Sequence, residues 1–144
     1  MRVALRAALL CAISSAAWRA RGSVGKEVPT LHAEATCDTL SRPGKVQCVV
    51  RERPVAGKLQ WGDVIVLSAP AFAPPLRTRA AAGDATRSDA EGADFSLALA
   101  ATGEGRGTLK ILGRAVVCGE GGCRPCQAEA IAQVVVGSPA DAGR

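Results

Sequence analysis

The 144-residue chain has no tyrosine, one histidine, two tryptophans, two phenylalanines and one methionine. With so few aromatic faces to stack on bases, and with its arginines scattered, it lacks the platform of a dedicated nucleic-acid binder. The single histidine, His32, has no serine or aspartate constellation around it, which removes the histidine-based hydrolases. There is no apolar run of 18 residues, no heptad array, no internal repeat and no phosphate-cradling glycine motif. Multi-domain enzymes and membrane channels are set aside by these absences. Large apolar side chains are scarce as well. The apolar fraction is 48%, but 28 residues are alanine, and Leu, Ile, Val and Phe together number only 32. That share is just above the roughly 20% below which chains stay disordered, and it suffices for one compact domain.

What is present begins with an address. Residues 1–17, MRVALRAALLCAISSAA, place Arg2 and Arg6 before an uncharged, mostly apolar stretch, and small residues at Ser15 and Ala17 suit cleavage before Trp18. This is the layout of a secretory signal peptide, a short helix too brief to span a bilayer. Leu10 stands before Cys11 where a lipoprotein signal has a small residue. The expected location is therefore periplasmic or secreted, with no membrane span once the signal is removed. About 127 residues then remain, with 16 basic against 13 acidic groups, a mildly basic balance that does not point to nucleic acid.

The remainder reads as short strands. From Lys45, KVQCVVRER alternates, with Val46, Cys48 and Val50 on one face and Gln47, Val49 and Arg51 on the other. DVIVLS, residues 63–68, is a β-branched run with Trp61 packing at its start. DFSLALAAT, GEGRG and TLKILGRAVVC read as strand, glycine-rich turn and strand. With the turn at residues 103–107, Ala101 faces Leu109, Leu99 faces Ile111, Leu97 faces Gly113 and Phe95 faces Ala115, an apolar face. Ser96 with Arg114 and Ala100 with Lys110 form the wet one. Residues 128–136 make a last strand, and residues 28–36 are a weaker candidate. Six to seven short strands without an amphipathic helix predict an all-β fold, a small antiparallel immunoglobulin-like sandwich. The expected layout is a flexible segment at 18–27, one sandwich domain over 28–137 and a disordered tail at 138–144. Residues 69–94 form a long loop in this layout, and Pro70, Pro74 and Pro75 suit an extended edge.

Setting Cys11 aside leaves five cysteines, an odd number, so two disulfides and one free thiol are the expectation in an oxidising compartment. A four-residue loop, Ser41-Arg42-Pro43-Gly44, sets Cys37 opposite Cys48 and predicts a structural bridge between them. A two-residue Pro-Gly loop would instead oppose Cys48 to Thr39. In VVCGEGGCRPCQAEA, a two-residue turn at Glu120 and Gly121 places Cys118 opposite Cys123, whereas a wider loop places it opposite Cys126, and spacing does not decide. Cys123 and Cys126 also form a C-x-x-C pair in which Arg124 can stabilise a thiolate. Only 18 residues follow, too few for a thioredoxin. Three thiolates with His32 or Cys48 would make four zinc ligands, but the second pair lacks the close spacing of zinc sites, and an iron–sulfur cluster lacks its fourth cysteine. No metal and no cofactor are expected.

The segment TLKILGRAVVCGEGGCRPCQAEAIAQVVV resembles the end of the immunoglobulin-like N-terminal domain of periplasmic thiol:disulfide interchange and disulfide-bond-corrector proteins. The resemblance covers about 30 residues and implies redox roles for Cys118 and Cys123, with Pro125 near the proline that follows. The turn is one residue shorter here, flanking aromatics are absent, and Cys126 is extra. The sequence thus points to an exported, disulfide-stabilised β-sandwich that acts as a non-catalytic binding or structural module, with a protein partner whose identity the residues do not specify. The alternative is a thiol–disulfide exchange module using Cys118 and Cys123, for which Cys126 is a third redox candidate.

Overall fold

The computed structural model describes Gly25 and residues 27–137. The expected signal peptide and its helix at 1–17, most of the segment 18–27 and the tail 138–144 lie outside the described residues. Nine strands follow one another: β1 (Thr30–Cys37), β2 (Thr39–Leu40), β3 (Gly44–Val55), β4 (Lys58–Ser68), β5 (Arg79–Ala80), β6 (Ala85–Asp89), β7 (Gly92–Ala101), β8 (Gly105–Gly119) and β9 (Gly122–Val136). They form a four-stranded sheet in the order β1-β3-β7-β6 and a five-stranded sheet in the order β2-β9-β8-β4-β5. All pairings are antiparallel except β2 with β9. This is an immunoglobulin-like sandwich: the chain leaves the first sheet after Cys37, and its next two residues join the last strand of the second sheet in parallel.

Alternation decides which residues form the core. β3 sends Val46, Cys48 and Val50 inward and β7 sends Phe95, Leu97, Leu99 and Ala101. From the other sheet β8 contributes Leu109, Ile111, Ala115 and Val117, while β9 contributes Ala130, Ala132, Val134 and Val136. In the last strand Ala130 and Ala132 are buried, small side chains at a place where β1 and β9 pack closely across the two sheets.

One expected pairing is corrected. β7 and β8 are not a hairpin, because they belong to opposite sheets. Leu99 pairs with Val46 and Leu97 with Cys48 of β3, and Ile111 pairs with Ala130 of β9. The inward faces are nonetheless the predicted ones, since a period of two reports the face a residue takes and not the strand beside it. The glycines of GEGRG mislead for a physical reason. A Cβ at Gly107 would come within 2.7 Å of Pro70 and one at Gly105 within 3.0 Å of the Phe72 ring, so these glycines admit the segment that crosses over them.

Residues 69–94 are likewise tied down. Thr102 N–H donates to Phe72, Ala100 N–H to Pro74, and Leu76 N–H to the Ala98 carbonyl, which lays residues 72–76 along the β7 edge as the prolines suggested. β5 then pairs with β4 and β6 with β7, so the stretch expected as one long loop carries two short strands.

Candidate functional site

Both disulfides join directly opposed residues of adjacent strands. Cys37 of β1 is in register with Cys48 of β3, and the two are bridged on the inward face, Cys48 fully buried. Cys118 of β8 is in register with Cys123 of β9 across a turn at Glu120 and Gly121 and is bridged to it. Of the two registers that the spacing left open, the tight turn is the one formed. It requires a left-handed backbone at Gly122, with φ of 104°.

The second bridge faces the other way. Cys118 shares the outward face of β8 with Lys110, Leu112, Arg114 and Val116, and Cys123 is exposed. A cavity of about 300 Å³ lies beside it, lined by Glu27, Val28, Pro29, Gly121, Gly122, Cys123 and Arg124. Among the described residues Cys126 carries the one free thiol. Three residues along a strand reverse the side-chain direction, so Cys126 sits inward, opposite Ala115, and donates its S–H to the Pro29 carbonyl at 3.4 Å. The C-x-x-C pair is therefore split between the two faces of one sheet, and of the thiols that a zinc site would have drawn on, Cys118, Cys123 and Cys48 are held in the two bridges. His32 is exposed and meets Glu34 at 3.1 Å. Among the described residues no three His, Cys, Asp or Glu side chains are grouped as metal ligands.

Beside this hairpin the outer face of the five-stranded sheet mixes apolar and basic groups. Trp61, expected to pack at a strand start, instead lies on this face in register with Val116, and it is 39% exposed. The bulge between Leu59 and Trp61 shifts it outward. In the next row Asp63 is buried beneath two guanidiniums: Arg114 reaches it through Nε at 2.8 Å and through Nη2, and Arg79 through Nη2 at 2.6 Å. Burial pushes the Asp63 carboxyl up, but the hydrogen bonds from Arg114 and Arg79 outweigh it and hold the carboxyl below its ordinary value of 3.8.

Sequence reasoning missed the second buried carboxyl, Glu52, which is fully inside. Its signal was available: the inward series Val46, Cys48, Val50 continues to Glu52 by parity.

Fold and cysteine geometry together define the class as a small disulfide-stapled immunoglobulin-like sandwich. The chain matches no family model and no curated protein. Among solved structures it is similar to the VesB protease of Vibrio cholerae, with 15% identity and a TM-score of 0.36 over 74% of this chain and 32% of that one. The chain thus spans about a third of the length of that protease. It is also similar to the major subunit of aggregative adherence fimbriae type I from Escherichia coli, with 9% identity and a TM-score of 0.35 over 76% of this chain and 93% of that one.

Proposed function

We propose that this protein is an exported binding or structural module, a β-sandwich stapled by two disulfides and working in the periplasm or outside the cell. The observation that supports it most is the placement of the bridges. Each clamps one hairpin, Cys37 to Cys48 at an edge of one sheet and Cys118 to Cys123 at an edge of the other, in a domain with few large apolar residues. Disulfides compensate for small cores in oxidising compartments.

A second reading, thiol–disulfide exchange at Cys118 and Cys123, is favoured by the exposure of Cys123 and the cavity beside it. A partner thiolate would attack the Cys123 sulfur and release Cys118 as the leaving thiolate, giving a mixed disulfide. One experiment separates the readings: intact mass after thiol alkylation of the exported protein across a graded glutathione series. The module reading expects one alkyl adduct, from Cys126, with both bridges closed until potentials below about −300 mV. Opening of Cys118–Cys123 near or above about −230 mV would overturn it in favour of exchange.

A further inference from the structure

Glu52 crosses the gap between the two sheets. Within its own sheet it lies between Ala33 of β1 and Ala93 of β7. Facing it on the other sheet are two glycines, Gly62 of β4 and Gly113 of β8. A Cβ at Gly113 would come within 2.6 Å of Glu52 Oε1, and one at Gly62 would collide with Oε2. The carboxyl thus fills a window left open by two missing side chains. Gly62 pairs with Ala115 and Gly113 with Val64, so the pair between them, Asp63 with Arg114, frames the far side of the window.

No side chain reaches either oxygen of Glu52 and neither makes a hydrogen bond of good geometry, the Arg114 main chain being the one polar group close enough to favour the carboxylate. The charged groups nearby are committed elsewhere. Arg114 and Arg79 both serve Asp63. On β3 itself Arg51 is exposed and Arg53 pairs with Asp94 of β7 at 2.7 Å, while on β1 His32 and Glu34 flank Ala33 and meet each other. Asp63 is the buried charge that Glu52 confronts. Burial first, and then the Asp63 charge, raise the Glu52 carboxyl from 4.5 to about 8, an effect that the Arg114 main chain only partly offsets.

We propose that Glu52 is a proton-operated latch between the sheets: as the neutral acid it fills the glycine window and holds the sandwich closed, and as the carboxylate it sets an unpaired buried charge against Asp63 and loosens it. The sign follows from linkage. The folded chain keeps a proton that the unfolded chain releases near 4.5, so the stabilisation is full below that pH and is lost as pH rises to about 8. One proton of linkage changes the folding constant by up to about tenfold per pH unit within that window.

The test compares urea unfolding of the disulfide-intact protein and of Glu52→Gln from pH 5 to 9.5. The parent is expected to lose at least about tenfold in folding constant between pH 6 and 8. The variant is expected to be flat over that range and more stable than the parent at pH 9. His32 and Cys126 are present in both proteins, so the difference isolates position 52. Parallel slopes, or a parent that does not respond, would overturn the proposal. Should the variant fail to fold, carboxyl NMR of the glutamate-labelled parent decides: one glutamate titrating near pH 8 supports the latch, and all seven titrating near their ordinary value overturns it.

Discussion

At Gly113 the absence of a side chain is a packing requirement, because the space its Cβ would take holds Glu52 Oε1. Replacing a strand glycine with alanine ordinarily gains about 0.5–1 kcal/mol through the unfolded chain, whereas forcing a methyl group into a filled core costs about 1–3 kcal/mol. The second effect governs here, so Gly113→Ala should lower the urea midpoint. Gly83→Ala, where nothing lies within 4 Å, should leave it nearly unchanged and serves as the control. Equal effects at the two sites would remove the window from the account of Glu52. Position 52 was legible in the alternation of β3, yet an Arg-Glu-Arg run reads as the end of a buried strand and only the facing glycines show that it continues inward. The Asp63 cluster was not legible, since Arg79, Asp63 and Arg114 come from three strands and 51 residues separate the last two.

The hairpin carrying the first bridge is the element that local sequence specified best. The Ser41 to Gly44 turn placed Cys37 against Cys48, and the bridge closes a separation of 11 residues, for which loop entropy gives about 3 kcal/mol. Cys37→Ser should therefore lower stability by about that amount, seen as a drop in the calorimetric midpoint, with no change in the potential at which Cys118–Cys123 opens. A variant that melts with the parent would show that this bridge is not a staple. One detail of the same hairpin escaped the sequence. Beyond Cys37 only Asp38 keeps the expected partner, donating its N–H to the Gln47 carbonyl, and Thr39 and Leu40 turn away to pair with Val135 and Val136. Local turn chemistry is silent about this switch, because the attraction is the open edge of a strand almost 100 residues later.

For the molecule as a whole, the two buried carboxyls pull stability in opposite directions with pH. Asp63, paired with Arg114 and Arg79, is stabilising when ionised, and that contribution is lost as pH falls below its ordinary 3.8. Glu52 is stabilising when neutral, and its contribution declines above 4.5. Calorimetric midpoints should accordingly peak on the acid side, at about pH 4 to 5, and fall towards pH 8. A maximum at or above neutrality would show that the Asp63 pair dominates and that Glu52 is relieved by some other contact. What the sequence determined by itself was the β class, the inward and outward faces and the pairing of Cys37 with Cys48, all of which depend on residues within about a dozen positions of one another. Only the tertiary structure decided that β7 and β8 face each other across the core instead of pairing, that Cys118 bridges to Cys123 and not to Cys126, and that Glu52 and Asp63 are buried on opposite sides of one sheet. These depend on which strands share a sheet, and a two-residue alternation carries no information about neighbours.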